Sequence, residues 1–228
     1  MRSLVMLALL VTAACAQVSP PSTLELSKNM GGVLLVVNVA NTFKPEYQAT
    51  SMDLSLKRKD VEQRVLPAPP HGRNQPNQPD PNPPVKYSFS LIKQEEQSST
   101  FVLFVPITAG NYVIEEVAGF ASHPPVMGAF QIPVGGKVNI QAGRVTYLGH
   151  VDAINRERKS DQEPRSGPVI PLVEQEVSGF ANATLDLTIR DARAEDCAMI
   201  QNQLTAVPPD KFDTALVTIE RQSLLSQR

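Results

Sequence analysis

With 228 residues, 42% of them hydrophobic, the chain is long enough to bury a core of its own. Its net charge of −2 comes from both signs in near balance and gives no basic face, which excludes a nucleic-acid partner. Tryptophan is absent, which excludes a site that stacks rings on indoles, and no later apolar run reaches membrane-spanning length.

Residues 1–14 carry one charge, Arg2, then the apolar stretch Leu4–Val11 and the small residues Thr12-Ala13-Ala14. A positive start, an apolar centre too short to cross a bilayer and a small-residue end predict a cleaved export signal. Two cuts compete. Val11-Thr12-Ala13-Ala14-Cys15 resembles the lipobox of bacterial lipoproteins, in which Cys15 becomes the lipid-bearing N-terminus; Thr12 stands where that pattern favours leucine. A cut after Ala14-Cys15-Ala16 instead releases a soluble periplasmic or secreted chain from Gln17. Residues 15–30, small, polar and proline-stiffened, read as a tether. Ala16 after the cysteine resembles the outer-membrane sorting pattern of Gram-negative lipoproteins. The expectation is a cell-envelope protein whose membrane partner is reached through lipid on Cys15, facing the periplasm or the surface.

Residues 31–228 are expected to form one all-β domain. Val33–Val37 is a continuous apolar run inside a strand, Gly32–Asn41, covered on both faces. Met52, Leu54 and Leu56 alternate with polar residues, and Val85, Tyr87, Phe89 and Leu91 do the same in what reads as one further strand. Between them, Pro67–Pro84 holds eight prolines in eighteen residues and stays out of any core, either as an excursion or as a recognition arm. Phe101–Val105 is another buried run, closed by Pro106. Asn111–Val117, Ala129–Pro133, Lys137–Gln141 and Val145–Val151 follow, with Gly135-Gly136 and Ala142-Gly143 as hairpin-type turns. Residues 155–166 carry seven charges of mixed sign among twelve and read as a solvated loop. Thr184–Ile189 is a strand. The helix-bearing tail, 191–228, places Ala194, Cys197, Ile200 and Leu204 on one helix face and ends with a strand at Ala215–Ile219. The fold class is therefore an antiparallel β-sandwich of prealbumin or immunoglobulin type with one late helix, and a closed barrel is the alternative.

Chemistry is sparse. His71, His123 and His150 are scattered and show no metal-ligand spacing. Cys197 has no partner for an intrachain disulfide and reads as an inert helix-face thiol. There is no nucleophile elbow. No catalytic, cofactor-binding or metal-binding residue is predicted, and no cofactor. No carboxylate pair is singled out: Glu115 and Glu116 are neighbours on a strand and point to opposite faces, so one turns inward unless a bulge or edge exposes it. Gly110, Tyr112, Ile114 and Glu116 resemble one strand of the pilin-type Cna-B modules, whose members join Lys to Asn beside a buried acid; Gly32–Asn41 lacks the lysine.

Pro106-x-x-Ala109-Gly110-x-Tyr112, Phe130-x-Ile132-Pro133-Val134 and Gly143-Arg144-Val145-Thr146-Tyr147-Leu148-Gly149 follow the leader in that order. Together they resemble a group of bacterial lipoproteins with a prealbumin-like, or carboxypeptidase-regulatory-like, β-sandwich. In such a domain the tyrosine closes a corner through its hydroxyl and the glycine permits the turn. The functional expectation is a non-enzymatic envelope lipoprotein that binds an envelope component or protein partner. The alternatives are an envelope hydrolase or carbohydrate-active enzyme with cleft carboxylates, and a secretion or surface-assembly accessory that docks a partner through the proline arm.

Overall fold

The computed structural model describes residues 26, 28–60, 80, 82–168, 176–200 and 208–220. The leader, Cys15, His71, Leu204 and most of 67–84 lie outside them. In chain order the strands are β1 (Met30–Asn41), β2 (Ala49–Arg58), β3 (Val85–Ser88), β4 (Ser90–Gln94), β5 (Ser98–Thr108) and β6 (Gly110–His123). They continue with β7 (Val126–Ile132), β8 (Val134–Ile140), β9 (Val145–Glu157), β10 (Ala183–Arg190), β11 (Phe212–Thr214) and β12 (Thr218–Ile219). An α-helix, α1 (Arg193–Met199), lies between β10 and β11.

The fold is all-β, with two sheets facing one another. The first runs β10-β9-β1-β5-β4, and the second runs β12-β8-β6-β2-β3 with β7 also on β6. One core cluster draws on both, with Val33, Leu35, Val37, Phe101 and Leu103 from the first meeting Met52, Leu54, Ile114, Val117 and Ile132 from the second. Most pairings are antiparallel, as the alternation predicts, but β1 and β11 both lie parallel to β9.

Two segments pass from one sheet to the other. Val85–Leu91 is not one strand of one sheet: β3 pairs with β2, β4 pairs with β5, and Phe89 between them donates its amide to Met52 O at 2.9 Å. At the opposite side β11 pairs with β9, the amides of Ala215 and Val217 bond Tyr147 O and Leu148 O, and β12 pairs with β8. Hydrogen bonding therefore runs from sheet to sheet on both sides, which places the architecture between the expected sandwich and its barrel alternative.

Several local expectations change. Gly135-Gly136 lies inside β8, where Gly135 pairs with Thr218, and makes no hairpin. Gly143, at φ 70°, does turn the chain, but from one sheet into the other. β5 runs on through Pro106, which faces Gly32 of β1 beyond the reach of β4. Asn155 is not in a solvated loop; it lies within β9 fully buried, bonded to Asn41 Oδ1 at 3.0 Å and Ser166 Oγ at 2.7 Å. The Tyr112 hydroxyl donates to Thr108 O at 2.8 Å, closing the corner at which Gly110 sits. A Cβ on Gly110 would come within 2.7 Å of Asp60 Oδ2.

The first sheet is covered on its outer face too. Leu34, Val36, Val102, Val145 and Tyr147 pack there under Ile200 and Cys197. This is why β1 reads as an unbroken apolar run. On β9, Thr146 Oγ1 is buried and has no hydrogen-bond partner among the described residues. An unpaired buried hydroxyl is unfavourable, and valine has nearly its shape. Thr146→Val is therefore expected to raise the unfolding free energy by about 1 kcal/mol in urea titrations.

Candidate functional site

Among the described residues, polar side chains gather in a closed network under a helix and in an open groove. The closed one joins α1 to β9. A register shift against β1, at Leu148-Gly149, brings Tyr147 and His150 onto the same outer face although they are three residues apart. Gly149 has φ 117°, which suits that shift. Both side chains reach Asp196 of α1, which has 0% exposure: the Tyr147 hydroxyl donates to Oδ2 at 2.6 Å and His150 Nδ1 lies 2.8 Å from Oδ1. The Tyr147 oxygen also accepts the Ala192 amide at 3.1 Å, satisfying the start of the helix. Burial, then the bond to Asp196, pushes the Tyr147 phenol up, so it stays a donor.

His150 is thus in mid-strand and buried, not near a strand end, and its Nε2 faces Asp152 Oδ1 at 3.4 Å. With both ring nitrogens turned to carboxylates, the imidazole fastens the helix. The buried positions of this segment are Ala192, Asp196 and Ile200, whereas Ala194 is exposed, contrary to the expected face. Cys197 is partly buried against the first sheet, and that burial pushes its thiol up, away from the reactive thiolate. His123 ends β6, with its ring edge-on to Tyr47 at 5.9 Å.

The open site is a groove of about 510 Å³ on the outer face of the second sheet. Cavities of about 300–1,000 Å³ hold small ligands. Its floor is read off the register. Lys86, Ser55 and Glu116 lie side by side on β3, β2 and β6, followed by Asp53, Ala118 and Gln131, then Phe120 beside Ala129. Glu116 is there because of a bulge: Ser55 faces Glu116 while Leu56 faces Ile114, leaving Glu115 as the extra residue. Ile114 and Val117 both enter the core, and neither glutamate is buried. Glu116 is therefore not the internal acid that the Cna-B resemblance implies.

One wall is Arg165–Pro168, held along β7 by the Gln131 amide on Ser166 O at 2.8 Å. Gly167 permits this approach, since a Cβ there would sit 2.5 Å from Ala129 O. The loop before the wall is ordered by Arg156, which bonds Glu163 at 2.8 and 3.0 Å and Asp186 at 2.7 Å. Arg156, aided by the Lys159 amide, holds the Glu163 carboxyl down to about 2 from an ordinary 4.5. A carboxyl lowered on folding stabilises above its unfolded value and ceases to as pH falls through its folded one. The contribution of the Arg156–Glu163 pair to order in 158–165 is thus complete above about pH 4.5 and fades towards pH 2. Hydrogen exchange should show these amides losing protection across that window in the wild type. In Glu163→Gln they should be poorly protected throughout, with no such step.

Within the groove Asp53 accepts from Ser88 Oγ at 2.6 Å, and Arg165 donates to Ala181 O. Glu116 and Lys86 have no hydrogen bond or ion pair among the described residues. Phe120 is 46% exposed. No cluster of metal-ligating side chains occurs among the described residues, and none of their helices is long and apolar enough to cross a membrane. Composition could place Asp53 and Ser55 on a polar outer face; the bulge and the distant wall had no signal in the pattern.

Neither a family model nor a curated protein matches this sequence. Among solved structures the chain is similar to a leucine-rich repeat protein from Bacteroides thetaiotaomicron, at 10% identity and a TM-score of 0.30. The similarity covers 54% of this chain and 14% of that protein's length, and carries no weight for fold family or function.

Proposed function

We propose that the protein is a non-enzymatic cell-envelope lipoprotein, tethered through lipid on Cys15 to the outer membrane, whose β-domain binds an envelope component. The groove between β3 and the 165–168 wall carries this reading, because it brings together an exposed Phe120 with Glu116 and Lys86, which are unpaired among the described residues. The leader and the lipobox resemblance supply the address, and the resemblance to prealbumin-like lipoprotein domains suits a binding module. Radiolabelled palmitate should enter the wild-type chain and not Cys15→Ser; a wild type without label would refute the tether.

A second reading draws on Asp53 and Glu116, two carboxylates in one groove at diagonal positions of β2 and β6. Paired carboxylates are the chemistry of glycoside hydrolysis. Release of reducing ends from an oligosaccharide by the wild type, abolished in Glu116→Gln, would establish a hydrolase and remove the non-enzymatic reading.

A further inference from the structure

We propose that the groove on the second sheet takes a neutral saccharide chain, seated on the Phe120 ring and hydrogen-bonded by Glu116, Asp53, Gln131, Lys86 and Arg165. This rests on the groove being the binding site. Three observations select the ligand class. The first is charge: the groove's two carboxylates are matched by one ammonium and one guanidinium, so it offers no net attraction to a polyanion or a polycation and suits a ligand without net charge.

The second is the kind of hydrogen bond on offer. Backbone N–H and C=O groups lie in the plane of a sheet, so its face presents side chains only. On β6, between β2 and β7, those groups are committed to neighbouring strands; on the outer side of β7 the Gln131 amide goes to Ser166 O, and on the wall Ser166 and Gly167 donate their amides to Ala183 O and Phe180 O. An extended peptide is recognised by main-chain bonds at an open edge, and a proline-rich one by several aromatic rings. The groove floor has neither. A polyol suits it, because each hydroxyl both donates and accepts. It can therefore bridge a carboxylate, which only accepts, and an ammonium or guanidinium, which only donates.

The third is the exposed ring. Phe120 stands at the more apolar end beside Ala129, with Met127, 53% exposed, diagonal to it on β7. A pyranose has one face of C–H groups that can lie on such a ring while its rim of hydroxyls reaches the polar end. Apolar and polar groups converging in one concave site is the general character of a small-ligand cavity.

The test uses the full chain in detergent micelles, labelled with carbon-13 on methionine and alanine methyls. It is titrated separately with maltotriose, cellotriose, chitotriose and the tripeptide Ala-Lys-Ala. Saturable shifts of the Ala118 and Ala129 methyls, which line the groove, are expected with at least one trisaccharide. Phe120→Ala and Glu116→Gln, both at unburied positions, should each weaken that binding tenfold or more with unchanged melting temperature. Silence with all three sugars, or binding unaffected by both variants, would overturn the proposal. Shifts of the groove methyls by the tripeptide alone would overturn the saccharide class and keep the groove as the binding site. Sugar-induced shifts at the Met199 methyl beside α1, with the groove methyls silent, would overturn both.

Discussion

Asp196→Ala is expected to lower the unfolding free energy by about 3–5 kcal/mol, among the largest effects of any single substitution in this chain. The carboxylate is wholly buried and is the common partner of Tyr147 and His150. Its removal leaves a phenol hydroxyl and an imidazole nitrogen facing a void. Each orphaned buried group costs about 1–3 kcal/mol, and the helix loses its fastening to the first sheet. Asp196→Asn keeps the shape and an acceptor for Tyr147 but turns a donor or acceptor of fixed sense towards His150. It should fall between the wild type and the alanine variant. Urea titration of all three chains checks this. A loss below about 1 kcal/mol for Asp196→Ala would mean that the network is solvated and does not hold the helix.

The second large effect is expected at Phe180, which joins stability to the groove. Its ring has 0% exposure and stacks on Phe130 of β7 at 5.0 Å and 20°. Its carbonyl accepts from both the Ser166 hydroxyl, at 3.1 Å, and the Gly167 amide, at 3.1 Å. Truncating a buried phenylalanine costs about 3–5 kcal/mol through lost transfer energy and the cavity left behind. Here the cavity opens beneath the groove wall. Phe180→Ala should therefore unfold about 3–5 kcal/mol more easily, and the amides of 166 and 167 should exchange faster than those of β1 and β5 well below the melting temperature. Uniform loss of protection everywhere would show that the wall has no separate dependence on this ring.

Much of the framework was legible from side-chain alternation. Met52, Leu54 and Leu56 enter the core as their spacing predicts, and the unbroken apolar run of β1 does mean cover on both faces. What alternation cannot show is a change of phase. At Glu115 and again at Leu148-Gly149 the register slips by one residue, so side chains three apart share a face. The first slip places Glu116 in the groove, and the second sets Tyr147 and His150 under the same helix. Phe89 hides a third event: the pattern Val85, Tyr87, Phe89, Leu91 is continuous in sequence, yet the chain changes sheets there. The helix misled in another way. Hydrophobic spacing selected Ala194, but the buried side chain is Asp196, made tolerable only by partners forty-six and forty-nine residues away.

Photo-crosslinking in intact cells addresses the working surface directly, with a benzophenone amino acid placed at Phe120 in one chain and at Met199 in another. Position 120 lies in the groove, whereas position 199 is exposed on α1 at the outer face of the first sheet. A discrete adduct of added mass at 120, periodate-sensitive, lost in combination with Glu116→Gln and absent at 199, is the expected result. Adducts at 199 with position 120 unreacted would contradict it and move the working surface to the helix.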